Sequence, residues 1–180
     1  MRLITSFLLL IIFAGCTTTG VFITDKQGHA LKRPDFPIPV EIKDMPEKYR
    51  FATIHAIESW NIGLNAEIFK IVESSNTVRV AYKKRWHESH AMSAVTSTKY
   101  MFKMIYLSDV YINGEKDGEF DPLTVMIHEL GHVLGLGHNE QKGSIMNTWM
   151  EKDAKFNKVP QVDLDNFKKL YGEIGYGVSR

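Results

Sequence analysis

Residues 128–138 read HELGHVLGLGH, and five of them stand at spacings that suit metal chemistry: His128, Glu129, His132, Gly135 and His138. Positions four apart share one face of a helix, so His128 and His132 would present two imidazoles side by side. Two neutral imidazoles so placed can bind one Zn2+. Gly135 lets the backbone turn sharply after the helix, and His138 can then return as a third ligand. Three protein ligands leave a position for water, which marks a catalytic rather than a structural zinc site. Glu129 adjoins the first ligand and would reach that water without binding the metal. Zinc lowers the pKa of its water to about 7, so Glu129 would take the proton as general base and later deliver it to a leaving amine. A helix carrying three unrelated histidines competes with this reading for H-E-x-x-H alone. The extended H-E-x-x-H-x-x-G-x-x-H pattern is far more demanding.

These residues need a rigid carrier. Asp121-Pro122 is a helix start: Asp accepts from the first free N–H groups, and Pro is tolerated at the first helical position. Leu123, Met126, Ile127, Leu130 and Leu134 follow at helical spacing and form an apolar face, and Gly135 suits a left-handed stop. Upstream, Pro37 to Ile42 suggests a first strand. Pro46 opens a helix with Tyr49, Ile54, Ile57, Trp60 and Leu64 on its stripe, and Gly63 as its candidate end. Glu67–Val72 and Thr77–Trp86 read as strands, the latter placing Val78, Val80 and Tyr82 on one face. Ala91–Thr98 is rich in small and β-branched residues, Tyr100–Ile112 reads as another strand region, and Asn113-Gly114 is a turn signal. Leu164, Phe167 and Tyr171 form a last helical stripe before Gly172.

The whole chain sets further bounds. Its 180 residues suit one domain with a real core, and a formal charge of +1 gives no electrostatic case for nucleic acid. Residues 1–15 carry one basic residue, an apolar run from Phe7 to Phe13 and then small residues, the layout of a secretory signal peptide. The apolar run is shorter than the about 20 residues that a membrane-spanning helix needs. Cys16, the only cysteine, follows directly. Residues 16–36 read as a polar tether or weakly ordered arm, and residues 37–180 as the domain.

HELGHVLGLGH matches the zinc signature of the metzincin metallopeptidases, and Ser144-Ile145-Met146 resembles their Met-turn, with Met146 as its methionine. Within that group the chain is most similar to the matrixins, the matrix metalloproteinase family. Asp163-Leu164, Phe167 and Leu170-Tyr171-Gly172 resemble the matrixin C-terminal helix. Trp60, Leu64 and the strand after them resemble the end of the first helix and the second strand. The resemblance implies an α+β fold. A twisted five-stranded mixed sheet with two helices would be followed by a small C-terminal subdomain with one helix, and a protein or peptide substrate would lie across the cleft between them. It implies a zinc endopeptidase with His128, His132 and His138 as metal ligands and Glu129 as the catalytic residue. The chain departs from the pattern at Asn139, where matrixins usually carry Asp, and at Val162, where they carry a second acid. Thr148 stands where astacin-like and serralysin-like relatives have Tyr. No cysteine-containing propeptide is recognisable, so thiolate latency is not expected.

Ala14-Gly15-Cys16 resembles the lipobox of bacterial lipoproteins, in which the cysteine is lipidated. Phe13 stands where leucine is usual. Thr17, rather than Asp, follows the cysteine and by that resemblance favours the outer membrane. The expectation is an exported, lipid-anchored monomer. Weaker signals are His87 and His90, spaced for a second zinc, and Asp117, Glu119 and Asp121, hard oxygen donors in a glycine-containing loop that could hold Ca2+. Solvated loops and a helix cap account for them as well. Lys83-Lys84-Arg85 reads as a solvated strand end. Two other functions stay open on the residues alone: a non-catalytic zinc-stabilised lipoprotein that binds a partner, and an amidase or peptidase acting on cell-wall peptides.

Overall fold

The computed structural model describes residues 20–87, 93–149 and 153–172. The signal segment, Cys16 and His90 lie outside them. Strand β1 (Ile38–Ile42) leads into helix α1 (Glu47–Leu64), followed by β2 (Phe69–Val72), β3 (Val78–Lys83), β4 (Ala94–Met101) and β5 (Met104–Asn113), then α2 (Pro122–Val133) and α3 (Gln161–Tyr171). The five strands form one sheet in the order β2-β1-β3-β5-β4. All neighbours are parallel except β4 and β5. The α+β architecture implied by the matrixin resemblance is the one observed, a five-stranded mixed sheet with three helices.

Strand alternation divides the sheet into two faces. Ile38, Val40, Val78, Val80, Val110 and Ile112 are buried in one core with Ala56, Ile57 and Trp60 of α1 and Met126, Ile127 and Leu130 of α2. The opposite face is polar. Glu41, Arg79 and Asp109 stand in register across β1, β3 and β5. Arg79 grips Asp109 through Nε at 2.7 Å and Nη2 at 3.0 Å, and this carboxylate raises the guanidinium pKa.

Two local features differ from the sequence reading. Helix α1 runs past Gly63 and ends at Asn65, which takes the left-handed cap at φ 53°. A Cβ on Gly63 would stand 2.9 Å from Leu164 Cδ2, so that glycine serves the packing of α3 rather than the cap. The region Tyr100–Ile112 is not one strand. It turns at Phe102-Lys103, with φ 50° and 65°, and makes a hairpin of β4 and β5. Phe-Lys carries none of the Asn-Gly or Asp-Gly chemistry that announces such a turn.

Residues 20–36 are also more than a tether. Phe22 bridges Leu136, Leu31 is fully buried, and Arg33 is buried beneath α2. From Gly20 onward the segment belongs to the fold. Its two apolar anchors and one buried cation are too widely spaced to show as a periodic pattern.

Candidate active site

Helix α2 carries the first two histidines, and both of its ends are satisfied. Asp121 caps the start, accepting from Thr124 N at 2.8 Å and Thr124 Oγ1 at 2.7 Å. At the other end Gly135 has φ 88°, and Leu136 N–H reaches Gly131 O at 3.0 Å while Gly135 N–H reaches His132 O at 2.9 Å. This is a Schellman closure, which reverses the chain immediately after the helix. Two side chains take the remaining carbonyls: Arg33 Nε donates to Val133 O at 2.9 Å and Tyr171 Oη to Leu134 O at 2.8 Å. Arg33 also donates through Nη2 to Ser108 Oγ at 2.6 Å. Burial depresses its pKa to about 10, so it stays charged at neutral pH, where a cation at a helix C-terminus is favoured.

The reversal brings His138 back over the helix. The three Nε2 atoms stand 3.1 Å (His128 to His132), 3.2 Å (His132 to His138) and 3.2 Å (His128 to His138) apart. Among the described residues these three form the group able to hold a metal ion. The hydrogen bonds behind them decide what they can hold. His128 Nδ1 donates to Ile145 O at 2.7 Å and His132 Nδ1 to Leu136 O at 2.8 Å. A carbonyl only accepts, so the proton sits on Nδ1 and each Nε2 presents a lone pair. Lone pairs converging at 3.1 Å repel unless a cation lies among them. Burial pushes the pKa of His128 down, that of His132 well down, and that of His138 down to about 4, so all three are neutral ligands at pH 7. The donor set fits Zn2+.

Glu129 is buried beside this cluster. Burial raises its carboxyl pKa to about 7, partly offset by a hydrogen bond from Thr96. Thr96 Oγ1, on β4, donates to Glu129 Oε2 at 2.5 Å. Thr96 was not singled out by sequence reasoning, and only the pairing of β4 with β5 over α2 could have revealed it. Trp60 Nε1 donates to Ile127 O at 3.1 Å, which ties α1 to the helix one residue before His128.

The floor of the site is the turn at Ser144–Met146. Ser144 N–H bonds Gln141 O at 3.0 Å, and Met146 N–H bonds Ser144 Oγ at 2.9 Å. Met146 is fully buried against Gly131, where a Cβ would meet its Sδ at 2.5 Å. Asp163 of α3 accepts from Ser144 Oγ at 2.6 Å and from Ile145 N at 2.8 Å. Burial raises its pKa against these bonds. The carbonyl of the same Ile145 orients His128. One acid on the last helix therefore fixes the turn, and the turn fixes His128. Asn139 is buried and spends Oδ1 on Gln141 N, while its Nδ2 has no hydrogen-bond partner among the described residues.

The weaker candidates stand elsewhere. Asp117 accepts from Tyr49 Oη at 2.9 Å and pairs with Lys48, Glu119 pairs with Lys116, and Asp121 is the helix cap. His87 is exposed at the end of the segment after β3. Lys83 lies over the Tyr111 ring, Nζ 3.6 Å from its centroid.

A mixed sheet over a helix that bears two histidines and a glutamate, with a third histidine returned to them by the turn after it, defines a metallopeptidase-like protein. Comparison with known proteins gives the family: residues 41–172, well over half of the chain, match the matrixin peptidases, and the chain belongs to that family. It is 41% identical to human (Homo sapiens) matrix metalloproteinase-25 over 64 residues, 33% of this chain and 11% of that protein. It is 40% identical to soybean (Glycine max) metalloendoproteinase 1 over 53 residues, 29% of this chain and 17% of that protein. The matches thus span under a fifth of the length of these relatives.

Proposed function

We propose that this matrixin is a zinc-dependent endopeptidase acting on protein or peptide substrates. The observation that supports it best is the pairing of a complete three-histidine ligand set with a buried carboxyl group that belongs to no ion pair in the described structure. A purely structural zinc site needs no Glu129. Zinc held by His128, His132 and His138 supplies a Lewis acid that acidifies a water and polarises the scissile carbonyl.

The chain's own residues do the rest. Glu129 accepts the proton of the attacking water at a carboxylate oxygen and returns it to the leaving amine nitrogen. Burial raises the Glu129 pKa, and a divalent cation nearby would favour the carboxylate form that the first proton transfer needs. Thr96 holds Oε2 and so restricts the carboxyl to one orientation. Strand β4, which bears Thr96, is one of the two edge strands of the sheet. Its outer backbone edge suits an extended peptide bound by strand addition, with the scissile bond above Glu129.

The test is Glu129→Gln, which keeps the shape and cannot take the proton. Zinc content should be unchanged and kcat should fall by about 10²- to 10⁴-fold on a cleavable peptide. Equal turnover at equal zinc loading would refute the mechanism. Failure of the wild type to cleave any peptide or protein at full zinc would move the protein to the partner-binding class, and selective cleavage of cell-wall peptides would narrow the substrate. We further propose that the protein is exported and anchored at a bacterial outer membrane through lipidated Cys16, and that it works as a monomer. Cys16→Ser should lose the lipid mass and leave the membrane fraction.

A further inference from the structure

Four exposed apolar side chains gather at and beside the turn that joins β4 to β5. Phe102 at its tip is 83% exposed, Met101 59%, Tyr106 48% and Met104 45%. Phe102 and Lys103 occupy the two central positions of the turn, both left-handed. Asn-Gly or Gly would sit there with less strain, because a Cβ disfavours that conformation. The tip therefore holds a largely exposed aromatic side chain in a backbone conformation that costs it energy.

The charge around the tip has one sign. Lys99 and Lys103 flank it and both are exposed. A third exposed lysine, Lys32, joins it through Lys32 N to Lys103 O at 3.0 Å and Ile105 N to Lys32 O at 2.7 Å. From Ser93 to Ser108 there is no Asp or Glu. An apolar tip with tyrosine behind it and a lysine collar is complementary to a bilayer: aromatic and methionine side chains enter the acyl boundary, tyrosine sits at headgroup level, and lysines meet anionic phosphates. The arm containing Lys32 begins, in the described structure, at Gly20, four positions after Cys16 in the sequence.

We infer that the β4–β5 hairpin is a membrane-contacting device that inserts Phe102 and its neighbours into the surface of a phospholipid bilayer with anionic headgroups. The inference rests on the proposal that the protein works at a membrane, and it is separable from the Cys16 anchor. The hairpin would be a second point of contact and would set how the domain stands over the lipid.

The experiment uses the full chain with the photoreactive residue p-benzoylphenylalanine at position 102 or, as a control, at Ile62, which is exposed on α1. Each is reconstituted with vesicles of phosphatidylcholine alone or mixed with phosphatidylglycerol, illuminated and read by mass. Position 102 should form lipid adducts at least about tenfold above position 62. Reversing Lys32, Lys99 and Lys103 to Glu should lower the yield several-fold on the anionic vesicles only, with unchanged circular dichroism. Equal yields at 102 and 62, or no lipid adduct at 102, would overturn the inference. So would cross-linking of 102 to protein instead of lipid when native membranes are illuminated. A lipidated Cys16 with no adduct at 102 removes the hairpin's role and keeps the anchor. Adducts at 102 on a chain with unmodified Cys16 do the reverse.

Discussion

Thr96 Oγ1 lies 2.5 Å from Glu129 Oε2, so an edge strand of the sheet holds the proposed base on the helix beneath it. This bond makes Thr96 a positioning residue. Thr96→Val keeps the shape and removes the donor. We expect kcat to fall roughly 10-fold, the worth of one hydrogen bond to a charged group, with KM and zinc content nearly unchanged. Thr96→Ser should restore most of the loss. A KM effect without a kcat effect, or no rescue by serine, would contradict the assignment.

Metal removal gives a second prediction. The three imidazoles are neutral and convergent in the folded chain, so zinc binds the folded state in preference to the unfolded one. Adding zinc at 100 times its Kd should stabilise the protein by about 2.7 kcal/mol, and a chelator should reverse the gain. His132→Ala should abolish the response in thermal melts. A melting temperature in that variant that still rises with zinc would point to different ligands.

A third prediction concerns Gly131 and Met146. Alanine at 131 gains helix propensity of about 1 kcal/mol, but its methyl would meet Met146 Sδ at 2.5 Å. Overpacking costs about 1 to 3 kcal/mol, so Gly131→Ala should destabilise by about 1 kcal/mol net. In a Met146→Ala background the space is free and the same substitution should become stabilising. Additive effects in the double-mutant cycle would show that the two positions do not press on each other.

Arg33 supplies a fourth. It is buried, and its donors serve Val133 O and Ser108 Oγ. Arg33→Met preserves bulk, leaves Val133 O bare and Ser108 Oγ with only Thr98 Oγ1 at 3.3 Å, so urea denaturation should show a loss of about 2 to 4 kcal/mol. Arg33→Lys should recover only part, because one ammonium cannot span both acceptors in the guanidinium's fork. A loss under about 0.5 kcal/mol, the scale of ordinary surface substitutions, would mean that Arg33 is replaceable there.

The contrast between what could and could not be read from the residues is physical. The site announced itself because metal ligation constrains residue type and spacing within eleven consecutive positions, and a helix converts spacing into geometry. Asp121, Gly135 and the apolar face of α2 were legible for the same local reason. Thr96 and Arg33 were not: each acts on α2 from a distant part of the chain, and a lone threonine or arginine has many ordinary explanations. Asp163 was recognised by family resemblance, whereas its task, holding Ser144 and Ile145, needed coordinates. The hairpin at Phe102 was hidden because the turn uses residues that disfavour it. Gly63 was misleading as a helix stop because Leu164 claims the space beside it, while Asn65 takes the left-handed cap. No periodicity announced the packing of residues 20–36.

That last segment has a mechanical consequence. Gly20 N–H bonds His138 O at 3.0 Å, Gly137 N–H bonds Val21 O at 3.0 Å and Ile23 N–H bonds Gly135 O at 2.8 Å. The arm and the segment bearing the third histidine are thus two rails of one short ladder. Peeling the arm away from Gly20 onward breaks those rungs in turn, and the first of them ends on the backbone carbonyl of His138. Where two such events are coupled, linkage is reciprocal: if a metal on His138 tightens the docking of the arm, undocking the arm weakens the metal by the same free energy.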